Sequence, residues 1–272
     1  MPEKHQRRAI GVLIIHGFTA TPESLSILEG PLKALGLPVK MPLLTGHGES
    51  SPEALRGVSC GQWIDDVSRA LLEMASQADK IVVIGHSMGA LLGLQLAAAY
   101  PGIVDSLVLA APAIRLSSLL APGRPLHFVS APLSLVVRKW GLKPVFVGTD
   151  VLRCPGQYDW APTDAILSLF RLIGMTVPLL ADVYVPTLIL HNRRETTVLA
   201  ESADDLYNCI GTASNQKRII WLDRSEHQIF CDCERERAMQ AVVDFVSGRL
   251  HEAVSFEPDI TITGNHQIPE AL

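Results

Sequence analysis

A mostly parallel β-sheet covered by helices on both faces is the fold class that this 272-residue sequence predicts. Three observations lead there. Short β-branched runs recur along the chain, each followed by a segment with apolar residues at helical spacing. The runs are apolar almost throughout, as strands buried on both faces must be. The alternation stops between residues 113 and about 180 and then resumes, which reads as one α/β core interrupted by an insertion.

Each element has its own signal. "AIGVLII" (Ala9 to Ile15) is the first strand, and the helix after it has Thr21 as N-cap, Pro22 in first position and an end near Gly36. "PVKMP" (Pro38 to Pro42) is a short strand between prolines. "SCGQWIDDVSRALLEM" opens with a capping box, Ser59 to Gln62, and spaces Trp63, Ile64, Val67, Leu71 and Met74 along one helical face. "KIVVIG" and its helix follow, then the strand "SLVLAAP" (Ser106 to Pro112). Inside the insertion, "APLSLVVRKWG" puts Leu133, Val136, Val137 and Trp140 on one helical face stopped by Gly141, and "TDAILSLFRLIGM" is a second helix with Thr163 as N-cap. The core returns with "VPTLILH" (Val185 to His191), the helix "LAESADDLYNCI", the strand "RIIWL" and the helix "ERERAMQAVVDFVSGRL". The expected division is therefore a core of residues 1–112 and 181–250, a cap or lid of residues 113–180, and a polar tail of residues 251–272.

A formal net charge of -5 argues against a nucleic-acid partner or a polybasic membrane contact. No segment approaches the length of a membrane-spanning helix, and the apolar run near the start leads into "HGF" rather than a cleavage site. Five scattered cysteines, Cys60, Cys154, Cys209, Cys231 and Cys233, read as reduced thiols in a cytoplasmic protein. "HQIFCDC" lacks a second matching pair, so no metal or cofactor is expected.

The chemistry centres on "IVVIGHSMGALLGL" (Ile81 to Leu94), where a strand turns directly into a helix around Ser87. Gly85 and Gly89 flank the serine in the pattern Gly-x-Ser-x-Gly, which lifts a hydroxyl out of a sharp turn and aims a helix N-terminus at it. A serine needs a base, and the base needs an orienting acid. Of nine histidines, His227 in "LDRSEHQIF" follows the last strand, where the base belongs. The acid belongs in the loop after the preceding strand, where "LILHNRRETTV" offers Glu195; the rivals are Asp204, Asp205 and Asp159, and a plainer use of Glu195 is a surface pair with Arg193 or Arg194. Oxyanion donors are expected from the backbone N–H groups of Met88 and of Phe18, in the loop after the first strand. The apolar stripe from Leu133 to Trp140 suits packing first and an acyl pocket second.

With these residues assembled, the chain resembles the α/β-hydrolases, and among them bacterial carboxylesterases and monoglyceride lipases with a small cap. The matching pieces are "HGFTATPES", "PLLTGHGESSPEAL" with "WIDDV", "GHSMGALL", "VPTLILH" and "SEHQIFCDCERE". The resemblance implies Ser87 as nucleophile, Glu195 in the place of the usual aspartate, His227 as base, and Phe18 with Met88 as oxyanion donors. It implies cleavage of small-molecule carboxylic esters through an acyl-enzyme. The alternatives are another serine-hydrolase chemistry (amide, thioester or carbon–carbon cleavage) or a weakly active ligand-binding relative. Three departures stand out: Glu195 for Asp, Asn192 for Gly, and Glu226 for Gly just before the histidine.

Overall fold

The structure, a computed structural model, describes residues 8–142, 146–148 and 156–255. In chain order the core opens with β1 (Arg8–Ile15), α1 (Glu29–Ala34), β2 (Val39–Lys40), α2 (Cys60–Met74), β3 (Ala78–His86), α3 (Met88–Ala99) and β4 (Val104–Ala110). Next come α4 (Ser130–Val136), β5 (Lys139–Gly141), β6 (Trp160–Pro162) and α5 (Thr163–Thr176). The chain returns to the sheet with β7 (Thr187–Asn192), α6 (Glu201–Cys209), β8 (Lys217–Leu222) and α7 (Arg235–Ser255). Six strands form one sheet in the order β2-β1-β3-β4-β7-β8, and every neighbouring pair in it is parallel.

The strand period of two divides the core into two layers. On one face Leu13, Ile15, Ile81, Val83, Leu107, Leu109 and Ile189 pack under α2, α3, α5 and α6. On the other, Val12, Ile14, Val82, Ile84, Val108, Leu188 and Leu190 meet Leu32 of α1 and Ala238, Val242 and Val246 of α7. Both faces are covered, which is why the strands carry almost no polar residue. The capping box of α2 forms as its sequence predicts: Ser59 Oγ accepts from Gln62 N–H, and the Gln62 side chain accepts from Ser59 N–H.

Several expectations need correction. The segment after Thr21 is a 3-10 helix (Pro22–Leu28) before α1 begins, although it ends as expected with Gly36 at φ 78°. The "APLSLVVRKWG" helix stops at Val136; Lys139–Gly141 is extended and pairs antiparallel with Trp160–Pro162, so cross-strand hydrogen bonds win over helical spacing there. Thr163 is the first residue of α5 rather than its cap, and its hydroxyl donates to the Val137 carbonyl, joining the two pieces. α7 runs on through Ser255, and the remainder of the expected tail lies outside the described residues. Among the described residues one segment, Thr163–Asp182, is long and apolar enough to cross a membrane by length and composition. It packs on α2 and α3, with Leu169, Leu172, Ile173 and Leu180 in the shared core, as the core helix of a globular fold does. Cys231 is disulfide-bonded, against the expectation of five reduced thiols, whereas Cys60, Cys209 and Cys233 are free; Cys154 lies outside the described residues. Spacing along the chain gave no sign of which sulfurs fold together.

α3 sits so close to the sheet that side chains are excluded at its start. A Cβ on Gly89 would stand 2.1 Å from the Ile15 carbonyl oxygen, whereas one on Gly93 would come no nearer than 3.3 Å, to a Val83 methyl. Gly89→Ala should therefore cost more than about 4 kcal/mol or prevent folding, and Gly93→Ala about 1 kcal/mol or less. Urea unfolding midpoints of the two variants check this; equal midpoints would contradict it.

Candidate active site

β3 ends at His86 and α3 begins at Met88, so Ser87 alone makes the reversal. Its backbone is left-handed, φ 55° and ψ -111°, a conformation that costs a non-glycine residue about 1–3 kcal/mol. The flanking glycines make the turn sterically feasible, since a Cβ on Gly85 would lie 2.3 Å from the Gly89 carbonyl oxygen. The Ser87 N–H donates to the Ala110 carbonyl at 2.8 Å, tying the turn to the end of β4.

Three side chains from three loops meet in one line. Glu195, in the loop after β7, is buried, and its Oε1 accepts from His227 Nδ1 at 3.0 Å and from Val198 N–H at 2.7 Å. Because the carboxylate can only accept, the imidazole proton sits on Nδ1 and leaves Nε2 to accept the Ser87 hydroxyl at 2.9 Å. Burial alone would push the Glu195 carboxyl up; the adjacent His227, its hydrogen bond, the nearby His191 and the Val198 N–H together hold it below its ordinary value. The carboxyl therefore stays ionised beside the imidazole. The rivals are elsewhere: Asp159 and Asp204 are exposed, and Asp205 pairs with Arg115. Arg193 faces Asp223 and stacks on Trp221, so the surface-pair use of Glu195 is set aside.

Met88 is the first residue of α3, where no intrahelical carbonyl reaches the backbone N–H. Phe18, half-buried in the loop after β1, and Ser87 and His227 line the same cavity of about 300 Å³. Its walls are largely apolar, with Leu133, Trp140, Leu142, Ile166, Leu167 and Phe170 among them. The stripe read first as packing is thus divided: Leu133 and Trp140 face the cavity, while Val136 is 82% exposed. The alternation of Thr and Ser with these side chains adds hydroxyls at Ser117, Ser134, Thr163 and Thr197.

Sequence reasoning missed the carboxylates that build the loops. Glu226, the departure just before the histidine, has a structural partner: its Oε2 accepts from the N–H and hydroxyl of Thr196, joining the loop of the base to the loop of the acid. Asn192 Oδ1 accepts from Arg194 N–H and shapes the turn toward Glu195. Asp232 accepts four backbone N–H groups, those of Glu226, Val147, Gly148 and Cys233. Glu234 Oε2 accepts three more, from Asp223, Arg224 and Ser225. Burial opposes both charges; these bonds, joined at Glu234 by a hydrogen bond from the Arg237 guanidinium, bring the two carboxyls below the ordinary range. The only signal was the density of acids in "SEHQIFCDCERE". Among the described residues no three His, Cys, Asp or Glu side chains gather as a metal site requires.

Two more histidines hold the floor. His86 Nε2 donates to the His227 carbonyl at 2.8 Å, and His16 Nε2 accepts from Leu44 N–H while Nδ1 meets the Gly17 carbonyl. Burial first, then the neighbouring His47 and His227 respectively, lowers His16 and His86 to about 3; burial lowers His47 to about 4.

A parallel sheet with a strained serine at a strand-to-helix turn, hydrogen-bonded through histidine to a carboxylate, defines an α/β-hydrolase. The chain belongs to the family described as serine aminopeptidase, S33, whose model matches residues 6–234. It is 28% identical to the thermostable monoacylglycerol lipase of Bacillus sp. (strain H-257) over 87% of this chain and 90% of that one. It is 26% identical to the carboxylesterase of Bacillus subtilis (strain 168), covering 86% and 91%. Among solved structures it superposes with a TM-score of 0.80 and 26% identity on one reported under "LipS and LipT, two metagenome-derived lipolytic enzymes", covering 89% of this chain and 95% of that one. The monoacylglycerol lipase of Paleococcus ferrophilus shares the fold at a TM-score of 0.72 and 20% identity, covering 90% and 98%.

The buried neutral histidines carry a pH signature. Unfolded, each takes up a proton near 6.5; folded, His16, His86 and His47 do so only near 3 to 4. Stability should then fall as pH drops below 6.5, by about 1.4 kcal/mol per pH unit for each histidine. Urea unfolding at pH 7.5 and pH 5.0 checks this, with a clearly lower midpoint expected at pH 5.0 and equal midpoints contradicting it.

Proposed function

We propose that the chain is a serine esterase that cleaves carboxylic esters of short to medium acyl length, monoacylglycerols included, through an acyl-enzyme on Ser87. The observation that carries this is the unbroken line from the Glu195 carboxylate through His227 to the Ser87 hydroxyl, opening onto a mostly apolar cavity. In the first step His227 Nε2 takes the Ser87 proton as Oγ attacks the ester carbonyl. Glu195 holds the imidazole in the Nδ1–H form and stabilises its positive charge. The N–H groups of Met88 and Phe18 receive the oxyanion, each contributing about 3 kcal/mol. His227 then protonates the departing alcohol, and a water repeats the sequence in reverse roles to release the acid.

Several observations support esters over the amide, thioester and carbon–carbon alternatives. The curated relatives carry the names monoacylglycerol lipase and carboxylesterase. Among the described residues no Lys, Arg, Asp or Glu lines the cavity, so a peptide's α-ammonium has no carboxylate to meet there. We read residues 113–180 as a cap over the site, since Leu133, Trp140 and Phe170 supply the apolar wall. The Glu195 geometry speaks against an inert binding module, because the longer side chain reaches the imidazole at an ordinary hydrogen-bond distance. A cytoplasmic site rests on the three free thiols, and the disulfide at Cys231 weighs against it.

Hydrolysis of p-nitrophenyl esters of graded length, alongside monoacylglycerols, tests the proposal. Ser87→Ala should abolish turnover while leaving the fold intact by circular dichroism. Glu195→Gln should lower kcat by about 10³–10⁴-fold, as removal of the orienting acid does elsewhere, and Asp204→Asn should leave it near wild type. Turnover retained in Ser87→Ala overturns the mechanism; the opposite ranking of the two acid variants reassigns the acid.

A further inference from the structure

The Glu195 carboxylate has two oxygens, and the proposed reaction uses only one. Oε1 accepts from His227 Nδ1 and Val198 N–H. Oε2 is fully buried and has no hydrogen-bond partner among the described residues. It faces Nδ1 of a second histidine, His191, at 3.8 Å, and that nitrogen is likewise buried and unpartnered. The other ring nitrogen of His191, Nε2, lies 3.2 Å from the Leu199 carbonyl and can only donate there. The neutral ring therefore carries its proton on Nε2 and turns a bare Nδ1 toward a bare Oε2. Two lone-pair-bearing atoms confront each other in a buried site, an arrangement that one proton would resolve for both.

We propose that His191 is a proton-gated positioning residue for the acid of the Ser87–His227–Glu195 line, an inference that rests on the esterase reading above. Neutral, it leaves the full charge of Glu195 directed at His227. Protonated at Nδ1, it donates to Oε2 and becomes a second cation on the same carboxylate. A charge-assisted bond of this kind is about 2.7–2.9 Å long, so the pair closes by roughly 1 Å, away from the His227 side. The carboxylate then supports the His227 imidazolium less well at the moment of attack. The groups facing His191 are Glu195 in the following loop, His227 after β8, Asp204 on α6, and the Trp221 ring on β8 at 5.8 Å. Burial pushes the His191 imidazole below its ordinary value, Glu195 opposes that, His227 adds to it, and the Leu199 carbonyl and Asp204 oppose it. At neutral pH the gate thus stands in its active state, and acid closes it.

Long-range 15N–1H NMR of the wild-type protein reads the proton directly. His191 should show the Nε2–H tautomer at pH 7.5 and take up a proton at Nδ1 on acidification, with a midpoint below 6.5 that falls further in Glu195→Gln. Overturning results are an Nδ1–H tautomer at pH 7.5, no titration before acid unfolding, or a midpoint that Glu195→Gln does not lower. The second readout is the acid limb of kcat/KM on a p-nitrophenyl ester. Wild type should lose activity more steeply than a single protonation allows, and His191→Gln should follow a one-proton limb; identical limbs overturn the gate. Wild-type hydrolysis with identical limbs removes the gate alone, whereas no hydrolysis at any pH removes the esterase reading and leaves the NMR result to decide on His191.

Discussion

One backbone reversal governs this molecule. Between the last residue of β3 and the first of α3 there is only Ser87, held at φ 55° because the chain must turn a strand into a helix within a single residue. The turn is possible because Gly85 and Gly89 have no Cβ, which lets α3 press against the carbonyls at the end of β1. The strain is balanced by packing: apart from Gln95, which donates to Thr176, α3 is built of apolar residues and is packed between α2, α5 and the sheet. The same crowding that makes the serine awkward for the backbone sets its hydroxyl facing the cavity.

The partners of that hydroxyl come from two loops that anchor themselves in the core through Val198, Ile229 and Phe230, and buried carboxylates fix the backbone between those anchors. Glu226 joins one loop to the other, Glu234 gathers three successive N–H groups, and Asp232 gathers four, including those of Val147 and Gly148 in the segment between β4 and β7. Carboxylates accepting several backbone N–H groups stay ionised even when buried, and each fixes more backbone than an apolar side chain of the same size. The position of His227 is thus a property of the whole 223–235 loop. His86 adds to it from beneath by holding the His227 carbonyl.

How far was this legible in the residues alone? The strands of the sheet were, because period-two burial on both faces leaves an apolar signature that little else produces, and the Gly-x-Ser-x-Gly turn was, because a steric demand writes itself as glycine at two fixed offsets. Ser87, Glu195 and His227 were picked from chain order and lie together in space. What stayed hidden depends on contacts distant in sequence. Trp140 looked helical by spacing but pairs with Ala161 across a short antiparallel ribbon. Glu226 stands in the sequence only as a departure from glycine, because its partner, Thr196, is thirty residues away. His191 looked like an ordinary strand end, and nothing in "LILHN" announces that its ring faces the second oxygen of Glu195. Cys231 looked like a free thiol for the same reason.

The central claim is that Ser87 is made nucleophilic by the line of hydrogen bonds behind it. The most direct measurement is reaction with a fluorophosphonate probe followed by peptide mass spectrometry. The account predicts one stoichiometric adduct, carried by the peptide containing Ser87, with labelling slowed by several orders of magnitude in His227→Ala. An adduct on another residue, or labelling of Ser87 at the same rate without the imidazole, would contradict it.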